Sequence, residues 1–158
     1  MGRIIGAFDP GGSTGYCFAE TNDSTLGFTV KRCQVIQWQD TIPAIRALLG
    51  YFRPDILIVE DFVLYQNKAK EMVGKRMLSS EVIGVIRTYC HELGLREPQM
   101  RLASTISRTL IPKDHMHSIP NLVAEQKEHC MDAYKHVRYY VVSQKASAAA
   151  GNVSRGRK

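Results

Sequence analysis

The chain lacks paired cysteines, long apolar runs and any internal repeat. Its four cysteines, Cys17, Cys33, Cys90 and Cys130, lie too far apart for a C-x-x-C motif. That argues against a disulfide scaffold and the common zinc knuckles. No apolar stretch approaches the roughly 20 residues that span a bilayer. The first apolar segment, Ile4 to Phe8, is cut short by Asp9-Pro10, so it does not read as a secretory leader. These absences point to a soluble, cytoplasmic protein whose reduced thiols fill its core. At 158 residues the expected organisation is one domain. Acidic residues are the minority, 15 against 21 Lys and Arg, for a net charge of +6. Such an excess suits a polyanionic partner without requiring one.

What is present begins with a short β-branched strand, Arg3 to Phe8, followed by D-P-G-G-S-T-G, Asp9 to Gly15. Pro10 fixes φ there, and the three glycines permit tight or left-handed backbone. Tyr16 to Ala19 reads as a returning strand, Glu20 to Thr25 as a turn, and Leu26 to Trp38 as a third strand with a bend. Short turns between strands predict an antiparallel meander. The period then changes. Ile42, Ile45, Leu48, Leu49 and Phe52 recur at helical spacing, with Asp40 or Thr41 as cap and Arg53-Pro54 as terminator. The run I-L-I-V before Glu60 predicts a strand buried on both faces. A long helix is expected from about Glu71 to Leu93, ended by Gly94, then a short fifth strand from Met100 to Ala103. Ile111 to Pro120 reads as loop, and Leu122 to Val142 as the last helix. The order predicts an α/β domain over residues 1–142, with a mixed five-stranded sheet and helices on both faces. Residues 143–158 read as a basic, disordered tail.

Three carboxylates stand out by position. Asp9 and Glu60 each end a strand, and Asp132 lies on the last helix one turn after His129. Hard-cation sites form where carboxylates converge from different elements. His129, Asp132 and His136 share one helical face at i, i+3 and i+7. An apolar stripe of Val123, Cys130, Ala133, Val137 and Tyr140 or Val141 is expected opposite. Each acid alone has a plainer reading, as a turn former, a loop start or a solvated helix position. Their co-occurrence in this element order favours a shared site.

Three segments together resemble the RuvC-type Holliday junction resolvases of the ribonuclease H-like superfamily, of the kind found in bacteriophages. They are I-I-G-A-F-D-P-G-G-S-T-G-Y (Ile4 to Tyr16), P-D-I-L-I-V-E-D-F (Pro54 to Phe62) and H-C-M-D-A-Y (His129 to Tyr134). The resemblance implies a ribonuclease H-like fold and an endodeoxyribonuclease of recombination and repair. It implies a site of two Mg²⁺ ions, with Mn²⁺ as substitute, held by Asp9, Glu60, His129 and Asp132. It further implies a homodimer that nicks a four-way junction symmetrically. The chain departs from the family in a glycine turn one residue shorter. The stretch from Ile111 to Glu128 is also shorter, and keeps only Lys113 and Lys127 with His115 and His117.

The segment after Glu60 carries Phe62, Tyr65, Lys68, Lys70, Lys75 and Arg76. The family implies an aromatic wedge in this loop, with basic residues against phosphates; Phe62 or Tyr65 would supply the wedge. A base stacked on an aromatic ring gains roughly 1–3 kcal/mol whatever its sequence. The plainer readings are a core Phe62 and an ordinary solvated helix face. Trp38 reads as packing. The histidines and Cys130 match no structural zinc spacing. Three other functions compete. A nuclease for flaps and forks would share the acids. A catalytically silent DNA-binding module would not need them. An actin-like phosphotransferase shares the first turn but needs a second phosphate loop and a second domain.

Overall fold

Strand β1 (Ile4–Asp9) is buried along nearly its whole length, and its two stripes organise the molecule. In the computed structural model, which describes residues 2–22, 27–63, 76–121 and 123–155, Ile5 and Ala7 face one apolar layer while Ile4 and Phe8 face the other. Strand β4 (Ile56–Glu60) repeats the alternation: Ile56 and Ile58 point to the first layer, Leu57 and Val59 to the second. Strands β1 and β4 pair in parallel. Strands β2 (Ser13–Asn22) and β3 (Gly27–Gln37) form the antiparallel side, and β5 (Gln99–Arg101) pairs in parallel with β4. The sheet order is β3-β2-β1-β4-β5. Three antiparallel and two parallel strands thus form one mixed sheet, as the element order implied.

Helices α1 (Thr41–Phe52) and α2 (Leu78–Glu92) cover one face. Ile45, Leu48 and Leu49 of α1 meet Val82, Ile83 and Ile86 of α2 over Phe8, Phe18 and Val59. Phe52 stacks flat on Phe18, with ring centroids 4.3 Å apart. Helix α1 stops at Arg53, whose φ of 41° is left-handed and whose N–H returns to the Leu49 carbonyl. Pro54 cannot continue the helix. The start of α1 differs from expectation. Neither Asp40 nor Thr41 caps its N–H groups, because the Thr41 hydroxyl donates back to the Gln37 carbonyl. Gly94 ends α2 at φ +62°, as anticipated.

Helix α3 (Ala124–Arg155) covers the other face through Cys130, Ala133, Tyr134, Val137, Tyr140 and Val141. Val123, expected in this stripe, is exposed. The helix also continues past Val142 to Arg155. Ala146 and Ala148 to Ala150 favour helix strongly enough to carry it beyond its apolar stripe. Further boundaries differ. Strand β2 is longer than read, because Ser13 to Gly15 continue the ladder with β3. The α2 helix begins at Leu78, and residues 113–118 wind into a short 3₁₀ turn rather than open loop. Among the described residues no helix is long and apolar enough to cross a membrane.

All four thiols are free and buried. Burial pushes the Cys90 thiol up to about 11, which keeps it protonated and a poor nucleophile. Native protein is therefore expected to release well under one equivalent of thionitrobenzoate from Ellman's reagent, and four on unfolding. Rapid reaction of any thiol in the native state would contradict this packing.

Candidate active site

The site grows from the strand stripes. On β1, Ile5 and Ala7 face α3, and two residues further on stands Asp9. On β4, Ile56 and Ile58 face α3, and two residues further on stands Glu60. Side chains two apart share a face, so both acids point to the α3 side. Phe8 pairs with Val59 in the parallel register, so the next residues, Asp9 and Glu60, end neighbouring strands side by side. The following ladder pairs Glu60 with Arg101. Asp9, Glu60 and Arg101 thus form a row across three strands.

Helix α3 meets this row with basic side chains. His129 Nδ1 is 2.6 Å from Asp9 Oδ2, His136 Nε2 is 3.0 Å from Glu60 Oε2, and Lys135 Nζ donates to Asp132 Oδ1 at 2.5 Å. Asp9 is 7% exposed. Desolvation by burial holds its carboxyl above the ordinary range, despite the opposing bond to His129, and the nearby charges of Glu60 and Asp132 push the same way. His129 is raised above 6.5, chiefly by its bond to Asp9 and against the effect of burial. Asp9 therefore feels both other acids as well as His129. Among the described residues no three His, Cys, Asp or Glu side chains are placed to hold one ion as they stand. Each carboxylate is instead engaged by a base from α3.

Beside Asp9 and Glu60 opens a cleft of about 190 Å³ that includes Pro10, Phe62, Ser79 and Ala103 in its walls. The turn that holds Asp9 is tied by Thr14, whose hydroxyl accepts from Gly11 N–H and donates to its carbonyl. Gly11, Gly12 and Gly15 do not use left-handed backbone, contrary to the simplest reading of a glycine-rich turn. Gly15 serves close approach: a Cβ there would lie 2.0 Å from the His129 carbonyl oxygen. The missing side chain lets α3 settle onto β2 beside His129.

No family model and no curated protein matches the chain. Solved structures do. Thermus thermophilus RuvC in complex with a Holliday junction substrate superposes with a TM-score of 0.60 at 14% identity, over 89% of this chain and 96% of that one. The fowlpox virus Holliday junction resolvase gives 0.61 at 14% identity, over 89% and 99%. The same viral resolvase with its substrate junction gives 0.57 at 12% identity, over 89% and 98%. The chain has the fold of the RuvC-like resolvases.

Within this RuvC-like fold, the residues singled out after Glu60 have different fates. Phe62 is half-buried against the α1–α2 layer, yet also lines the cleft. Arg76 is spoken for: its guanidinium binds both Glu81 oxygens at 2.6 Å and lies over the Trp38 ring. Tyr65, Lys68, Lys70 and Lys75 fall outside the described residues. Asp61 is exposed. His115 bonds the Tyr134 hydroxyl, which fixes the 3₁₀ turn to α3. Sequence reasoning placed His136 on the helical face of His129 and Asp132 but did not name it among the site residues, and it did not name Lys135 there either. The face expected to oppose the apolar stripe in part merges with it, because His136 is fully buried, as are Ala133 three residues before it and Tyr140 four residues after it. The available signal was the spacing of seven residues from His129, which returns a side chain to the same side of the helix.

Proposed function

We propose that the protein is a metal-dependent endonuclease that resolves four-way DNA junctions by paired nicks. The observation that supports this reading best is the placement of Asp9 and Glu60 side by side at parallel strand ends facing α3, in a RuvC-like fold. The donor set fits a hard divalent cation, since it offers carboxylate oxygens and one imidazole. The raised carboxyl of Asp9 fits as well, because burial first, and then the charges of Glu60 and Asp132, disfavour its ionised form, which a bound cation would favour. Asp9, Glu60, Asp132 and His129 would hold Mg²⁺, with Mn²⁺ as substitute. Two such ions would supply an activated water and stabilise charge on a phosphodiester.

The chain's own groups do the rest. His129, His136 and Lys135 each place a nitrogen within hydrogen-bond reach of one of the three acids, at 2.6, 3.0 and 2.5 Å. Asp9 and His129, bonded to each other here, would both serve as ligands of a bound ion. The net charge of +6 draws in the DNA backbone, so junction affinity falls steeply with added salt. Two copies related by a two-fold axis match the symmetry of a four-way junction and cut strands of like polarity.

The decisive assay offers a synthetic four-way junction beside flap, fork and linear duplex, with and without Mg²⁺. Paired symmetric nicks confined to the junction are the expected result. Equal cutting of flaps and forks would leave a nuclease of broader branched-DNA range. Tight junction binding with no nicking in Mg²⁺ or Mn²⁺ would sink the catalytic reading.

A further inference from the structure

We infer that His136 is a positioning residue that fixes the Glu60 carboxylate for its work in the site. The inference rests on the nuclease reading above and adds a residue to it. The His136 side chain has no solvent exposure, and Glu60 retains 19%. On its helical side, Ala133 three residues before and Tyr140 four residues on are apolar and buried, while Asp132 four residues before is engaged by Lys135 instead. An aliphatic residue fills such a place at lower cost, because an imidazole brings two polar nitrogens that need partners. One nitrogen, Nε2, meets Glu60 Oε2 at 3.0 Å; the other, Nδ1, is buried with no partner. The histidine thus stands where packing alone disfavours it, and its single polar contact is a candidate catalytic acid.

The geometry explains what the contact does. Nε2–H donates to one oxygen of Glu60, which fixes the rotation of the carboxylate and leaves the second oxygen directed elsewhere. Glu60 ends a strand and has few other restraints. Its ladder neighbour Arg101 does not hold it, since that guanidinium reaches Gln99 and lies near the Tyr139 and Tyr140 rings. Hydrogen bonds of this kind orient a ligating group and sharpen its affinity. His136 acts through Glu60 and needs no contact with DNA.

The test compares full-length wild type with His136→Leu and His136→Gln. Leucine keeps the apolar bulk and removes the donor; glutamine keeps an N–H that reaches a similar place. Three quantities are read: Mn²⁺ affinity of the DNA-free protein by electron paramagnetic resonance, the melting temperature, and kcat and KM for junction nicking. The leucine variant is expected to lose roughly 10–100-fold in Mn²⁺ affinity and in kcat. Its KM and melting temperature stay near wild type, and glutamine recovers most of the loss. The inference is overturned if leucine keeps wild-type kcat and Mn²⁺ affinity. It is also overturned if both variants lose activity in step with melting temperature, since that marks a packing role. A wild-type protein that nicks no DNA refutes the nuclease reading instead, and the Mn²⁺ titration then decides His136 alone. Weakened binding in leucine restored by glutamine supports positioning; equal binding, or none in wild type, refutes it.

Discussion

Asp9→Asn is expected to abolish junction nicking, by about 10³-fold or more, while making the metal-free protein more stable. The two effects share one cause. Asp9 is buried, and burial together with Glu60 and Asp132 makes its ionised form unfavourable despite His129. Asparagine keeps the shape and can still accept from the His129 ring, but carries no charge. Relief of such strain typically adds about 1 kcal/mol, or about 2–4 °C in a chain of this size. His129→Ala should act in the opposite sense and lower stability by about 1–3 kcal/mol, because it strips a buried carboxylate of its partner. Two partners of one hydrogen bond then move the melting temperature in opposite directions. Equal destabilisation by both substitutions would contradict the assignment of Asp9 as the strained member.

The same pair sets a pH dependence whose sign can be worked out. Asp9 is raised in the fold above 3.8, so the folded state holds more protons than the unfolded one through the window above that value. His129 is raised above 6.5, and its contribution is complete below 6.5 and lost as pH rises through its folded value. Both windows therefore make stability fall with rising pH. Denaturant unfolding in EDTA at pH 5, 6.5 and 8 should show this decline in wild type. Asp9→Asn should flatten it, since it removes one titrating group and the main cause of the His129 shift. An undiminished slope in that variant would place the titration elsewhere.

Much of this arrangement was legible in the residues themselves. The meander, the helix from Thr41 to Phe52 and the buried strand before Glu60 follow from period and turn chemistry, and their bounds match closely except for β2, which runs from Ser13 to Asn22 where Tyr16 to Ala19 was read. Asp9 and Glu60 were visible because each follows an apolar run at a strand end, which requires only the two-residue alternation of a strand. Their register was not visible, since parallel pairing joins residues about 50 apart and depends on how α1 packs. The partners of the acids were harder still. His136 looks like one polar position on a helix until the sheet is laid against it; only then does the buried side of α3 include position 136. The pairing of Arg76 with Glu81 was not legible, because Glu81 lies five residues on and across the start of α2. The segment from Ser143 onward was read as a disordered tail from its composition, whereas the helix runs on to Arg155, in keeping with the high helix propensity of alanine.

Gly15→Ala should be strongly damaging. The glycines of D-P-G-G-S-T-G invite a reading as turn formers, yet Gly15 lies within β2, opposite Asp9 in the antiparallel ladder. The space above it belongs to α3. An added Cβ would meet the His129 carbonyl oxygen at 2.0 Å, its carbon at 2.3 Å and the Cys130 nitrogen at 2.8 Å. All three are backbone atoms of a helix, so no side-chain rotation relieves the clash; β2 and α3 must separate. Overpacking typically costs about 1–3 kcal/mol, occasionally more, and a backbone clash belongs at the upper end. The shift falls on the helical turn that carries His129 and Asp132, so nicking should fall even in molecules that remain folded. Gly12→Ala is the matched control, because its Cβ would meet only the Leu78 Cδ1 atom at 3.4 Å, an ordinary contact with a flexible group. It should change stability by less than about 1 kcal/mol and leave nicking nearly intact. Denaturant unfolding of both variants, read beside junction cleavage, separates the two roles of glycine in one motif. If Gly12→Ala proves the more harmful, the motif acts as a turn, and the close approach of α3 to β2 is not what holds His129 over Asp9.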